Sequence, residues 1–313
     1  MPLADLSRRT ALKGLAAGAL IAPFTAAWAA AEPALNFLAV GDWGRDGHDN
    51  QAEVAAEMGK VAQALNARFV ISVGDNFYED GIQSVDDPQW KTSFEDVYSA
   101  PSLQVPWHVA LGNHDYRGNS QAQLDYTARS KRWRLPARWY ARRERAPDDA
   151  TLDIFVLDTS PFIRAYYADG AKKVKVAGQD TEAQLAWFGQ ALAASTADWK
   201  IVVGHHPIYS GNEYGGAPDL QARLDPILQK HAVPLYLNGH DHDLQHVHHG
   251  ATHYVCTGAG SQMREACSEP AGGDFCSLRP GFVAVRLTRA QIKVVYRDDA
   301  GAELHVVDIP RAG

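Results

Sequence analysis

The 313-residue chain is predicted to fold as layered α/β structure, and three features carry that prediction. Short apolar runs alternate with helical patterns from Asn36 to about His231. Beyond that point strand-like runs follow one another, joined by turns with no helix between them. With 46% hydrophobic residues, the chain has enough apolar material for one large core.

The elements read off in order. "NFLAV" (36–40) is apolar from Phe37 onward and reads as a buried strand by length and composition. From Gln51 to Asn66, residues Val54, Met58, Val61 and Leu65 recur at helical spacing and share one face. "FVISV" (69–73) is a second strand, a helix is expected around Trp90 to Tyr98, and "VPWHVAL" (105–111) is a third strand. "LDIFVLD" (152–158), "WKIVVG" (199–204) and "VPLYLNG" (233–239) repeat the pattern, among helices expected over Thr181–Ala194 and Leu220–His231. "HYVCTG", "GFVAVRL", "IKVVYRD" and "ELHVVDI" end the chain and are expected to complete the layers as a second, more antiparallel sheet. There is no internal repeat and no low-complexity linker.

The N-terminus reads as an address rather than as part of the fold. Paired Arg8 and Arg9 precede an apolar run from Leu15 to Phe24 and an Ala-rich stretch suited to a signal peptidase. The apolar run is too short to span a bilayer, so no stable membrane anchor is expected. Ser7, Arg8, Arg9, Leu12 and Lys13 resemble the twin-arginine export signal, with Ala11 where Phe is usual; an ordinary secretory signal is the alternative. The expected division is a signal over 1–31 and a catalytic domain over 32–313, exported to the periplasm or secreted, with the twin-arginine machinery a transient partner. Removing 1–31 takes away three basic charges and one acidic charge, so the net charge moves from −7 to −9. An acidic chain gives no reason to expect a nucleic-acid partner. Cys267 and Cys276 bracket a Gly/Pro loop and suit either a disulfide or two free thiols, while Cys256 reads as a buried strand thiol. The arginines of 129–145 suit either an anion-steering patch or a solvated loop and helix surface.

The chemistry lies where the strands end. "GDWG" follows the first strand, "GDNFY" the second, "GNHD" the third, "GHHP" the strand at 199–203 and "GHDH" the strand at 233–238. Ligands of open α/β sheets bind beyond the carboxyl ends of the strands. These turns would therefore bring Asp42, Asp75, Tyr78, Asn113, His114, His205, His206, His240 and His242 to one crevice. Oxygen and imidazole donors without cysteine point to a metal site, and their number suits two cations bridged by a carboxylate. Of the histidines in "GHDHDLQHVHH", His240 and His242 are the ligand candidates. His246, His248 and His249 read as strand and turn residues, with His246 nearest the cleft.

The order GD, GDxxY, GNHD, VxxH, GHxH resembles the metallophosphoesterase superfamily. The tyrosine of "GDNFY", with "FLAVGDWG", "SFEDVY", "SKRW" and "GHDHDLQ", resembles the small, tartrate-resistant type of purple acid phosphatase over roughly Asn36 to Pro310. The resemblance implies a four-layer α-β-β-α sandwich with mixed sheets. It implies an Fe(III) site of Asp42, Tyr78 and His242, a divalent site (Fe, Zn or Mn) of Asn113, His205 and His240, and Asp75 bridging the two. It also implies His114 as a catalytic group on the phosphate, and hydrolysis of small phosphate monoesters by a metal-activated hydroxide. The same metal pair would serve a phosphodiesterase or nucleotide hydrolase, and an Fe–tyrosinate centre would serve a redox or metal-holding protein. One departure stands out: where the family has a second active-site histidine after a Glu, this chain has Glu213 followed by Tyr214. That leaves His114 and His206 as candidates for the acid, His206 alternatively being only a hydrogen-bonding neighbour of His205. Ser160–Gln179 falls where animal relatives carry a loop over the site.

Overall fold

The computed structural model describes residues 33–168, 173–211, 216–264, 266–267 and 273–311; the expected signal, Glu213 and Tyr214 lie outside them. The first half of the described chain contributes β1 (Leu35–Val40), β2 (Val70–Ser72), β3 (Trp107–Val109), β4 (Trp133–Arg134), β5 (Tyr140–Arg145) and β6 (Thr151–Val156). Then come β7 (Trp199–Val203), β8 (Leu235–Asn238), β9 (Leu244–His249), β10 (Thr252–Thr257), β11 (Gly273–Ser277), β12 (Gly281–Leu287), β13 (Gln291–Asp298) and β14 (Glu303–Pro310). They form two mixed sheets of seven strands, ordered β14-β13-β12-β1-β2-β3-β4 and β11-β9-β10-β8-β7-β6-β5.

Within each sheet the strands that end at the site run parallel: β1 with β2 and β2 with β3 in one, β6 with β7, β7 with β8 and β8 with β10 in the other. The antiparallel strands are added at the sides. Here the structure corrects one expectation: the C-terminal strands do not build a sheet of their own. "HYVCTG" joins the second sheet as β10, beside β8, whereas β12 pairs antiparallel with β1 and carries β13 and β14 outward. Composition alone cannot tell a strand which sheet edge it will extend, because both edges offer the same backbone groups.

Helices cover the outer faces. α1 (Gln51–Leu65) buries Val54, Met58, Val61 and Leu65 and packs on β1 and β12. α3 (Thr181–Ala194) follows α2 (Ser120–Tyr126) in chain order. Its Phe188 and Leu192 share a core with Phe155, Val202 and Tyr236 of the second sheet. The helix expected over Leu220–His231 is broken into α4 (Pro218–Arg223) and α5 (Asp225–Lys230). Pro226, which lacks an N–H and clashes with the preceding turn, fits only the start of a new helix. The helix expected near Trp90 is a single π-helical turn, Trp90–Glu95. Cross-sheet bonds tie the inner layers: Trp199 Nε1 donates to Thr288 O at 2.8 Å and Tyr296 Oη to Gln245 O at 2.6 Å.

The arginine-rich stretch includes the edge strand β5 rather than a helix. Its charges are met locally: Arg143 pairs with Asp153 at 2.7 Å, Arg142 with Glu144 at 2.8 Å and Arg132 with Glu95 at 2.5 Å. Charged side chains on an edge strand also discourage pairing with a second molecule. Cys267 and Cys276 are joined as a disulfide, and Cys256 is free and buried in β10. His246, buried in β9, bonds His253 at 2.9 Å through Nε2 and His305 at 3.2 Å through Nδ1, which places it between the sheets. No helix among the described residues is long and apolar enough to cross a membrane.

Candidate metal centre

The loops after β1, β2, β3, β7 and β8 converge, and each is anchored by the residues beside its polar group. Trp43, next to Asp42, is fully buried and packs edge-on to Phe77, Tyr98, Trp107 and Trp133. Phe77, between Asp75 and Tyr78, enters the same aromatic cluster. Burying a side chain of this size contributes about 2–3 kcal/mol, which offsets the ordering of one or two loop residues. Asp115 ties the β3 loop to the β2 loop and to the helix Ser120–Tyr126. Its carboxylate accepts from Gly112 N at 2.8 Å, Asn76 N at 3.0 Å and Gln123 Nε2 at 2.7 Å.

That anchoring sustains a strained backbone. Asp42, Asp75 and His240 all adopt left-handed conformations, with φ of 59°, 48° and 69°. Each costs on the order of 1 kcal/mol or more in a non-glycine residue. Gly112 is required where it stands, since a Cβ there would meet Asp75 Oδ1 at 2.2 Å.

The side chains then crowd around a small volume. Tyr78 Oη lies 3.0 Å from Asp42 Oδ1, 3.1 Å from Asp75 Oδ2 and 3.0 Å from His242 Nε2. On the other side of Asp75, His205 Nε2 is 3.3 Å from the same Oδ2. The His205 ring is oriented by Nδ1 against Val73 O at 3.0 Å, and His240 lies beside it with ring centroids 5.2 Å apart. His240 N donates to Asp42 Oδ2 at 3.0 Å, which couples the GHDH turn to the first loop. His114 N donates to Asp75 Oδ1 at 2.7 Å, and its Nε2 stands 4.0 Å from Asp75 Oδ2.

The donor set fits cations. Tyr78 Oη meets two carboxylates and an imidazole nitrogen at once, a concentration of oxygen and nitrogen donors of the kind a cation takes. Asn113 Oδ1 and His205 Nε2 are buried without an aligned hydrogen-bond partner, an arrangement native proteins rarely leave uncompensated. Burial, followed by the neighbouring Asp75, pushes the Asp42 carboxyl well above its usual range, and burial and both carboxylates do the same to the Tyr78 phenol. Burial opposes ionisation of Asp75 too, yet the His205 charge beside it holds that carboxyl well below the usual range. Burial pulls His205 down, but Asp75 and Asp42 together raise it to about 9. Positive charge at this spot is what the group of anionic donors lacks. Burial leaves His240 at about 3 and His242 at about 4, so both offer neutral imidazole. Asp42, Asp75 and His205 present ligand atoms within 4.8 Å of one another.

His206 is a different case. It lies close enough to His205 and His240 to share a cation with them. Both its nitrogens are already engaged, Nδ1 by Thr159 Oγ1 at 2.9 Å and Nε2 by Tyr166 Oη at 2.8 Å. It therefore reads as a buried hydrogen-bonding neighbour. Neither Thr159 nor Tyr166 was marked by the motifs; "DTS" after the strand 151–156 was the only available signal.

Oxygen and imidazole donors delivered from the strand ends of paired sheets define a class, the α/β proteins that seat a pair of cations above their parallel strands. The family model for calcineurin-like phosphoesterase matches residues 35–244. Purple acid phosphatase 7 of Arabidopsis thaliana is 40% identical over 281 residues, covering 87% of this chain and 84% of its own. Tartrate-resistant acid phosphatase type 5 of Homo sapiens is 36% identical over 307 residues, covering 90% and 92%. Among solved structures, GAP50, the anchor in the inner membrane complex of Plasmodium, superposes with a TM-score of 0.79 at 26% identity over 90% of each chain. The chain belongs to the calcineurin-like phosphoesterase family and, within it, to the purple acid phosphatases. Its metal centre is of the dinuclear kind.

Proposed function

We propose that this chain is an exported acid phosphatase that hydrolyses small phosphate monoesters at a centre of Fe(III) and a divalent ion (Fe, Zn or Mn). Asp42, Tyr78 and His242 would hold the ferric ion, Asn113, His205 and His240 the divalent one, and Asp75 would bridge them. The observation that carries this reading is the position of Asp75 Oδ2, 3.1 Å from Tyr78 Oη on one side and 3.3 Å from His205 Nε2 on the other. Hard carboxylate and phenolate donors favour a ferric ion, and the imidazole and amide set suits the softer divalent ion. When bound, the cations supply Lewis acidity to the phosphoryl oxygens and make water nucleophilic at low pH. The protein's own part is to orient the ester. His114 would face it through Nε2, its Nδ1 being held by Glu79 O at 2.6 Å, and the imidazole would meet the charge that develops on the phosphoryl group.

Two measurements test the reading together. Purified protein should turn over nitrophenyl phosphate faster than the bis-nitrophenyl diester; a dominant diester rate would replace the monoesterase with a phosphodiesterase. The same preparation should contain iron and show a visible phenolate-to-iron band. Tyr78→Phe should lose that band while keeping most of the second metal. A wild-type protein with neither iron nor band would remove the ferric assignment.

Export rests on residues 1–31. Protein recovered from the periplasm or medium is expected to begin near Glu32, and Arg8→Lys/Arg9→Lys should block its export. Unchanged export of that double variant would point instead to the general secretory route.

A further inference from the structure

We propose that the hydroxyl of Tyr166 donates a hydrogen bond to the bridging oxygen of the bound ester, the oxygen that departs with the organic group. The proposal rests on the monoester reading above and adds to it the protein group that meets the leaving side. It begins from the proton count at Thr159. Thr159 Oγ1 accepts from His205 N at 3.1 Å and from His206 N at 3.0 Å. A hydroxyl has two acceptor positions and one proton, so both lone pairs are used and the proton must go to His206 Nδ1, 2.9 Å away. His206 is thereby fixed as the tautomer with its proton on Nε2. That proton is donated to Tyr166 Oη at 2.8 Å. Tyr166 accepts in this bond, and its own O–H has no acceptor among the described residues.

The direction in which that O–H is useful follows from the cavity it borders. A space of about 390 Å³ opens beside His240 and is walled by Ile163, Tyr166, Pro207, Ala217 and Pro218, with His206 at its inner edge. Such a lining suits the carbon skeleton of an ester and not its dianionic phosphoryl group. A substrate whose phosphoryl group lies at the candidate ligands would therefore extend its organic part past His240 into this cavity. The bridging oxygen then falls at the junction, which is where Tyr166 and His206 stand. Asp219 also lines the cavity, its charge met by Arg164, whose N and Nε donate to the two carboxylate oxygens at 3.0 and 2.5 Å and tie the Tyr166 turn to the start of α4. A tyrosine in this place supplies a donor on the leaving side in a chain that has Tyr214 where relatives carry a second histidine.

A hydrogen bond to the departing oxygen matters most when that oxygen leaves with most of its charge. The test compares wild type and Tyr166→Phe on nitrophenyl phosphate, a good leaving group, and on glycerol 2-phosphate, a poor one. Inorganic phosphate inhibition and metal content are measured in parallel. The expected result is a fall in kcat/KM of about tenfold or more on the alkyl ester. The loss on the nitrophenyl ester should stay within about threefold, and phosphate inhibition and metal content should be unchanged. An equal loss on both esters would make Tyr166 a merely structural residue, and no loss on either would remove it from the reaction; each overturns the proposal. A wild-type protein inert on both esters would overturn the phosphatase reading itself, and this proposal with it.

Discussion

Asp75→Ala is expected to lower kcat on a phosphate monoester by about 10³-fold or more and to leave at most one tightly held cation per chain. The size of the effect comes from the number of arrangements that meet at one carboxylate. Its Oδ2 lies between the Tyr78 phenol and the His205 imidazole, and its Oδ1 accepts from His114 N. Removing it deletes the proposed bridge between the cations and the acceptor that fixes the GNHD loop. It also deletes one of the two negative charges, Asp42 being the other, that raise His205. Two cations held side by side would repel strongly without an anionic group between them. Asp75→Asn separates these roles, because the amide oxygen can still accept from His114 N while the charge is gone. It should hold the loop, as judged by thermal stability near that of wild type, yet lose activity nearly as completely. Elemental analysis and steady-state rates on both variants make the check. Asp75→Ala protein that keeps its phosphatase rate would end the two-metal reading.

The path from sequence to site was unusually direct at the strand ends, for a physical reason. A side chain that must reach a cation from a buried strand has to stand within a few residues of the strand's last buried position. Apolar run, glycine and polar donor are therefore contiguous in sequence, and Asp42, Asp75, His205 and His240 could be read that way. The structure brings them together with Tyr78, His114 and His242 at the distances given above. What could not be read is what lies outside that local logic. Thr159 acts on His206 from a neighbouring strand end, 47 positions earlier, and nothing in "DTS" marks it as different from any turn. Tyr166 reaches His206 from a single 3-10 turn, Arg164–Tyr167, too short to leave a period in the sequence. The assignment of β10 to one sheet and of β12–β14 to the other is likewise a choice between equivalent edges, made by packing over the whole molecule. The break at Leu224 is written in the sequence by Pro226, which sits inside the apolar pattern that otherwise suggests one continuous helix.

His114→Asn should lower kcat by about 10²- to 10³-fold while both cations stay bound. The backbone makes this separation possible, because the bond that His114 gives to Asp75 comes from its main-chain N–H and survives any side chain. The imidazole itself stands at the edge of the site, with Nε2 4.0 Å from Asp75 Oδ2. Its Nδ1 is taken by Glu79 O at 2.6 Å and its ring lies against Tyr78 with centroids 4.3 Å apart, leaving Nε2 toward the site. With Nδ1–H committed to a carbonyl, Nε2 can donate to a phosphoryl oxygen only when the ring is protonated. Burial lowers the ring's pKa, and Asp75 only partly restores it. The sign follows: the donating form is present at acid pH and is lost as pH rises through a value below the ordinary histidine range. The wild-type rate should therefore fall on the alkaline side, and His114→Asn, which cannot titrate, should flatten that limb as well as lowering the rate. Metal content, visible spectrum and a kcat–pH profile on one preparation read all three consequences. A variant that loses metal would make His114 a structural support of the centre. A variant that keeps the alkaline fall unchanged would move that titration to another group, and with it the acid role now given to His114.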